Sequence, residues 1–239
     1  MKKINIYIVL ILGFVLLWSC SKDEDKESKL ESLKPFSEII FNSPFDIYLI
    51  EDSCYKIEII AYDKTIENID YEVKDSVLNI SNNKAFKWLN PSKNKILIYI
   101  HSKPLSLITL NETSHLHTLS PITSEHFGLI LRSKTNEATL DLNCGSFYYW
   151  NDFPCGGKLT LKGQTNSIKL WNYAILSVDA KSLKTKEALV ENNSQGNCTI
   201  NVSNKLTYSI SNSGNIILYG NPNEIVKKEC SSTGKLIVK

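Results

Sequence analysis

Residues 214–218 read Gly-Asn-Ile-Ile-Leu, and this pattern decides the fold: a small or amide residue with apolar residues two and four positions later. The pattern recurs at 136–140, 166–170, 196–200 and 234–238. Each apolar alternation is typical of a short β-strand with one buried face. Because glycine and asparagine tolerate positive φ, we expect the first residue of each copy to lie at a corner.

Recurring short strands separated by polar corners favour an all-β fold, a β-solenoid resembling a parallel β-helix with short irregular rungs. The copies are separated by 30, 30, 18 and 20 residues, and extra strands lie in the longer gaps at 157–161 and 175–178. A two-sheet sandwich is the alternative, since the same alternation permits it. The near-absence of Asn-Gly and Asp-Gly pairs, which favour hairpins, supports the coil.

The amino terminus predicts export. Two lysines precede the apolar segment 6–18, which is 13 residues long, whereas a membrane-spanning helix needs about 20. Residues 17–20, Leu-Trp-Ser-Cys, resemble a bacterial lipoprotein signal, which implies cleavage before Cys20 and a diacylglyceryl lipid on its thiol. We therefore expect a signal peptide at 1–19, lipidated Cys20 with a flexible tether at 20–35, and one domain at 36–239.

The residues that follow Cys20 bear on localisation. Lys22, Asp23 and Glu24 resemble the export signal of surface-displayed lipoproteins in Bacteroidetes-type bacteria. This resemblance implies an outer-membrane lipoprotein at the cell surface, with a periplasm-facing lipoprotein as the alternative.

Composition excludes one class of partner. The chain has 27 Lys+Arg and 25 Asp+Glu, and removing residues 1–19 removes two lysines, so the mature chain is formally neutral. Nucleic-acid binding needs clustered basic surface. We expect a membrane contact through the lipid and no nucleic acid, while the oligomeric state stays open.

Five cysteines remain after Cys20, an odd number whose spacing matches no zinc motif. Cys144 and Cys155 could pair, whereas Cys198 lies in an alternating strand like a small core residue. We expect free thiols rather than a disulfide framework, although the disulfide state of all five stays open: Cys54, Cys144, Cys155, Cys198 and Cys230.

The order of motifs along the chain resembles the head GIN domain family of Bacteroidetes envelope lipoproteins, whose members are described as auto-transporter adhesins. The segments that carry the resemblance are 36–39, 44–49, 55–59, 75–80, 95–100, 105–107, 213–216, 219–222 and Gly234. The family usually has Ser-Gly-Ser-Gly corners, where this chain has Thr-Ser at 113–114 and Thr-Asn at 135–136 and 165–166. The resemblance implies a coiled β fold at the envelope and brings no catalytic residue.

No motif for catalysis is present. There is no Gly-x-Ser-x-Gly turn, and none of the four histidines belongs to a recognisable nucleophile motif. His115 and His117 share a strand face, but we predict no metal site. A polysaccharide-active enzyme, with two carboxylates about 5–9.5 Å apart, is the less favoured alternative.

Aromatic residues provide the candidate binding site. If Ile168 and Leu170 point inward, the neighbouring aromatics point outward, and the same alternation applies to the strands around 147–150 and 216–219. Exposed aromatics on adjacent rungs could stack on sugar rings or contact a protein. The candidate binding residues are Tyr148, Trp150, Trp171, Tyr173 and Tyr219. The alternative is that these rings are buried under a loop, since large aromatics are highly buried on average.

These observations predict a non-catalytic binding or adhesion module at the cell envelope, with a surface glycan or protein as its partner. A periplasmic structural or sensing accessory of an envelope complex is the alternative.

Overall fold

The computed structural model describes residues 26–83, 95–151 and 155–239. It contains one helical turn, α1 Asp63–Ile66. The strands are β1 Lys26–Ser32, β2 Glu38–Phe41, β3 Asp46–Glu51, β4 Lys56–Tyr62, β5 Ile69–Lys74, β6 Val77–Asn82, β7 Leu97–Ser102, β8 Leu107–Leu110, β9 His115–Thr118, β10 His126–Leu131, β11 Thr135–Asn151, β12 Gly156–Ala174, β13 Ser177–Ser194, β14 Cys198–Ile210, β15 Ile216–Tyr219, β16 Glu224–Cys230 and β17 Leu236–Val238. Across these residues, no helix has both the length and the apolar character needed to cross a membrane.

The strands coil into a solenoid with two parallel stacks. Stack 1 contains, in spatial order, β6, β2, β8, β10, the second halves of β11 to β14, and β16. Stack 2 contains β7, β3, β9, the first halves of β11 to β14, β15 and β17. Because consecutive turns pair in parallel, the predicted β-solenoid is confirmed and the antiparallel sandwich is wrong.

A vertical ladder of inward-facing residues forms the core of stack 2. Its members from the middle of the chain onward are Ala138, Leu159, Val178, Cys198, Ile216 and Leu236. The steps between them are 21, 19, 20, 18 and 20 residues. The strand at 157–161 is therefore a full copy of the repeat, and the copy at 166–170 belongs to stack 1. The uneven spacing seen in the sequence came from mixing two stacks.

Three of the glycines that begin the repeats, at 196, 214 and 234, occupy their positions for a reason other than positive φ. Positive φ among glycines occurs at Gly157, Gly163 and Gly220, whereas Gly214 has an ordinary backbone. A Cβ on Gly214 would lie 2.1 Å from the carbonyl oxygen of Gly196 in the preceding turn. Close approach of two backbones excludes a side chain there.

The prediction of a flexible tether is wrong for Lys26–Ser32, which form β1 and pair antiparallel with β4. All seven residues of β1 are exposed, so this edge strand needs no apolar burial. Backbone hydrogen bonds hold it, together with cross-strand contacts: Ser28 Oγ donates to Glu58 at 2.8 Å, and Lys29 Nζ lies 5.1 Å from the centre of the Tyr71 ring.

Antiparallel strands close the N-terminal end of the solenoid. After β3 the chain leaves the coil, and β4 and β5 pair antiparallel with β7 and β6 respectively. It then returns to the opposite side of β2 and β3 as β8 and β9. The first turn in sequence, β2–β3, is thus enclosed on both sides. We call β1, β4, β5, β6 and β7 the capping layer.

Buried amides hold the corner between successive turns. Asn151, Asn172 and Asn192 point inward from the ends of their stack 1 strands and are fully buried. Asn192 Nδ2 donates to the carbonyl oxygens of Gly196 at 3.2 Å and Gly214 at 3.0 Å, and its Oδ1 accepts from Asn172 at 3.1 Å. Each amide therefore ties one turn to the next.

The five cysteines within the described residues are all free, as predicted. Cys144, Cys155 and Cys198 are buried, whereas Cys54 and Cys230 are partly exposed. Burial raises the pKa of Cys198 to about 12, so this thiol is an inert core group.

Candidate functional site

An aromatic surface lies on the outer side of stack 1. Tyr148 and Trp150 point outward from β11, while Phe147 and Tyr149 are buried, so the predicted orientation is confirmed. Trp150 is directly paired with Trp171 of the next turn, and Tyr173 follows two residues further along β12. We call Tyr148, Trp150, Trp171 and Tyr173 the aromatic face.

The aromatic face is built into the coil and is only partly exposed. A Cβ on Gly128 would lie 2.2 Å from Cζ of Tyr148, so the tyrosine ring covers the backbone of the preceding turn. Burial raises the pKa of Tyr148, and the nearby Glu38 carboxylate raises it further. Trp150 and Trp171 are half-buried and Tyr173 is 36% exposed. Part of the surface of each side chain therefore remains exposed to a partner.

Polar groups border the aromatic face on the C-terminal side. Trp171 is paired with Glu191, and Tyr148 is paired with Lys169, which is exposed. Aromatic rings beside hydrogen-bonding and charged groups can engage both the apolar faces and the hydroxyls of a sugar, or the side chains of a protein.

Tyr219 does not belong to the aromatic face. It points outward, as predicted, but from β15 in stack 2, where it is paired with Asn201. Lys181 Nζ lies 4.5 Å from the centre of the Tyr219 ring, a cation–π contact that already occupies one side of the ring.

A polar groove lies beside the aromatic face, where the long strands bend from stack 2 into stack 1. Its volume is about 690 Å³. Polar outward residues line it from successive turns, chiefly Glu125, Asn143, Gln164, Asn166, Lys184 and Lys186. We call this feature the polar groove. Its residues were not predicted as a site.

The polar groove arises from an interruption of the alternation. Cys144 and Phe147 both point inward, so the two residues between them share the outer side, and the same happens between Thr165 and Ile168 in the next turn. This slip of one position at each bend is the signal in the sequence that could have located the groove.

The groove is arranged for hydrogen bonding. Gln164 Nε2 donates to Asn143 Oδ1 at 2.8 Å across adjacent turns. Lys184 is paired with Gln164, which aligns a lysine with this amide pair. Cys144 forms part of the lining, and burial raises the pKa of its thiol, which keeps it protonated. The groove offers amides and charges rather than a nucleophile.

The histidine pair on β9 is divided between two different contacts. His115 Nδ1 lies 2.8 Å from Asp46 Oδ1, whereas the His117 ring stacks on Tyr48 with ring centres 5.7 Å apart. The two side chains therefore contact different neighbours.

The predicted lipidation site Cys20 and the predicted export signal Lys22, Asp23 and Glu24 lie outside the described residues. Their roles stay predictions.

Comparison with known sequences identifies relatives for most of the chain. The family described as "Putative auto-transporter adhesin, head GIN domain" matches residues 35–222. This range agrees with the resemblance carried by the motifs between residues 36 and 222. No curated protein matches the chain.

Solved structures share the fold at low sequence identity. A "putative adhesin" of Bacteroides fragilis is 18% identical with a TM-score of 0.81, and the match covers 91% of this chain and 98% of that one. A "putative adhesin" of Parabacteroides distasonis is 18% identical with a TM-score of 0.61, over 91% and 98% of the two chains. A "Putative lipid binding protein" of the same species is 14% identical, with a TM-score of 0.63 and the same coverage. These likenesses show the fold.

Proposed function

Because the chain belongs to the head GIN domain family of adhesin-type proteins, we propose that it is a cell-envelope lipoprotein that binds a surface glycan or protein without catalysis. The aromatic face is the contact surface. The polar groove extends that surface toward stack 2.

The observation that carries this proposal is the pairing of Trp150 with Trp171 on adjacent turns, with both rings half-exposed on a rigid parallel stack. Parallel strands lie about 4.8 Å apart, so two paired tryptophans form one continuous apolar strip. Removing a tryptophan side chain from water is strongly favourable in free energy, and tryptophan is enriched at binding surfaces. A strip of this kind fits a sugar ring or an extended protein segment.

The polar groove favours a glycan over a purely apolar ligand. Its amide pair Gln164–Asn143 and its lysines Lys184 and Lys186 provide both donors and acceptors along several turns. A repeating polymer can match donors that repeat at the turn spacing. A protein partner would contact the aromatic face and make fewer hydrogen bonds to the polar groove.

Binding is tested with a glycan array carrying bacterial capsular and host mucin-type glycans, using the full chain and the double variant Trp150→Ala/Trp171→Ala. We expect the affinity of the double variant for glycans that the unaltered chain binds to fall at least about tenfold, since a central aromatic anchor commonly contributes about 2 kcal/mol or more. Far-ultraviolet circular dichroism should stay unchanged, because both rings are outside the core.

The matched control is Tyr99→Ala. Tyr99 is an outward aromatic of stack 2 that stacks on Tyr48 with ring centres 4.8 Å apart, far from the aromatic face. The Tyr99→Ala variant should bind glycans as the unaltered chain does. Equal loss in both variants, or binding that survives the double variant, would contradict the proposed surface.

The envelope location is proposed from the signal and tether sequence. Protease shaving of intact cells should digest the domain if it faces outward, and Cys20→Ala should abolish incorporation of labelled palmitate. Protection until the outer membrane is opened would instead support the periplasmic accessory role. Unchanged labelling of Cys20→Ala would contradict lipidation at this residue.

A further inference from the structure

Three metal-ligating side chains of different types meet at the edge of the capping layer. Strand β7 lies between β3 and β4, and His101 of β7 is paired with Ile50 on one side and Lys56 on the other. The connection from β3 to β4 must therefore cross the end of β7. This connection carries Asp52 and Cys54 over His101.

The three donor atoms lie close enough together for one metal ion to reach all of them after small side-chain shifts. Asp52 Oδ2 lies 3.1 Å from His101 Nδ1 and 3.4 Å from Cys54 Sγ. All three atoms lie within 4.8 Å of one another. With metal–ligand bonds of about 2.0–2.3 Å, a tetrahedral zinc site places its donors roughly 3.3–3.8 Å apart.

The Asp52 carboxylate is oriented by the loop itself. Its Oδ1 accepts hydrogen bonds from the Ser53 backbone N–H at 2.6 Å and from Ser53 Oγ at 3.2 Å. These bonds leave Oδ2 aimed between the thiol and the imidazole. Support of a ligating carboxylate by a further hydrogen bond is the usual design of metal sites.

We propose that Asp52, Cys54 and His101 bind a divalent cation of the zinc class. The ligand atoms are Asp52 Oδ2, His101 Nδ1 and the Cys54 thiolate, and the fourth position is open to water. Cys54 loses its thiol proton to the solvent on binding, and the imidazole binds in its neutral form. Both side chains are partly exposed, so the ion has a direct path of entry.

The mixture of ligands sets the selectivity. Thiolate and imidazole favour zinc over magnesium and calcium, which prefer oxygen ligands. A second aspartate–histidine pair, Asp46 and His115, has a similar separation of 2.8 Å but no thiol in its described contacts. It provides an internal comparison for the contribution of Cys54.

The test is calorimetric titration of the full chain with Zn²⁺, together with Co²⁺ absorption as a reporter of thiolate coordination. We expect one Zn²⁺ per chain whose binding weakens at least about tenfold in Cys54→Ser and in His101→Ala, since even loss of a supporting residue weakens metal sites by 10–100-fold. The sulfur-to-cobalt band should vanish in Cys54→Ser. The control variants His115→Ala and Cys230→Ser should behave as the unaltered chain.

Site-resolved alkylation provides a second readout. Zn²⁺ should protect Cys54 from a maleimide while Cys230, which is also partly exposed, reacts as before, with both peptides quantified by mass spectrometry. Absence of Zn²⁺ binding overturns the proposal. So does binding that is equally strong in Cys54→Ser, or that is lost only in His115→Ala, because the ion would then occupy another place.

Discussion

Single buried amides determine how one turn is joined to the next. Asn172 and Asn192 replace the apolar residues that occupy the equivalent inward position in earlier turns, such as Leu110 and Leu131. A leucine fills the corner, whereas an asparagine satisfies the backbone carbonyls that the corner leaves without strand partners. Ladders of stacked amides are a recurring stabilising feature of parallel β structure.

Asn192→Ala should lower the free energy of unfolding by about 3 kcal/mol. The change leaves the carbonyl oxygens of Gly196 and Gly214 without their side-chain donor, whereas Asn172 Nδ2 keeps its hydrogen bond to the Leu176 carbonyl oxygen. Each unmet buried group costs about 1–3 kcal/mol. Urea unfolding followed by circular dichroism measures the loss. The neighbouring variant Asn193→Ala changes a partly exposed residue and should stay within about 0.5 kcal/mol. Equal effects would mean that the inward amide has no special role.

The buried thiol of Cys198 makes stability depend on alkaline pH. Burial raises its pKa from 9.0 to about 12. Between these values the unfolded chain gives up the thiol proton and the folded chain keeps it, so the unfolded chain binds fewer protons. The contribution of this thiol to the free energy of unfolding is fully present below pH 9. It falls as pH rises above 9, by up to about 1.4 kcal/mol per pH unit. Cys198→Ala should make the decline shallower in urea unfolding at pH 8 to 11. An unchanged slope would contradict this.

Among the repeating elements, spacing is controlled by close contact between backbones. At the start of β15, Gly214 lies against Gly196, and at the start of the next turn a Cβ on Gly234 would lie 2.5 Å from the oxygen of Gly214. These glycines allow the corners of three consecutive turns to stack without a gap. The turn spacing on this edge is therefore set by the absence of a side chain.

Gly214→Ala should destabilise the protein by about 2–3 kcal/mol, because its Cβ would meet two fixed carbonyl oxygens, that of Gly196 at 2.1 Å and that of Ser194 at 2.5 Å. The matched variant is Gly156→Ala. Its Cβ would meet chiefly the end of the Ile175 side chain at 3.1 Å, and that side chain is 59% exposed and can move. Thermal unfolding should show a clear loss for the first and little change for the second. Similar melting temperatures would contradict the role of backbone contact.

Strand identity could be predicted from the sequence, whereas the assignment of strands to stacks could not. Alternation around Ile168 and Leu170 determined which aromatics point outward, and this was correct. Tyr219 was grouped with the aromatic face because alternation does not reveal which stack a strand joins. The polar groove depends on a slip of one position at each bend, which simple alternation conceals. Strand β1 was missed because its stability comes from backbone pairing and charge contacts, not from apolar residues.

Taken as a whole, the molecule is a column of nearly equal turns on a capping layer. Each turn contacts mainly the turns directly above and below it, so stability is close to a sum of single-turn and interface contributions. The aromatic face and the polar groove both extend across several turns, so neither exists within one turn alone.

Deleting residues 178–197 should yield a folded protein that is shorter by one turn. The deletion removes one full step of 20 residues, and it places Cys198 on Leu159, where Val178 is now. Circular dichroism should retain its β character with a lower unfolding midpoint. Deleting only 178–187 removes half a turn and puts all later strands out of step with their stacks, so that protein should fail to fold. Equal behaviour of the two deletions would contradict the register.

The capping layer has a consequence for how proteins of this shape change length over evolutionary time. Strands β2 and β3 have neighbours on both sides. Beyond β6 and β7, the antiparallel strands β5 and β4 offer no parallel surface for a duplicated turn. Gene duplication can therefore insert or remove turns only on the side of β8 and β9 that faces away from the layer. Descendants of such a protein would share the capping layer and differ in the number of solenoid turns, with each gain or loss being a whole turn.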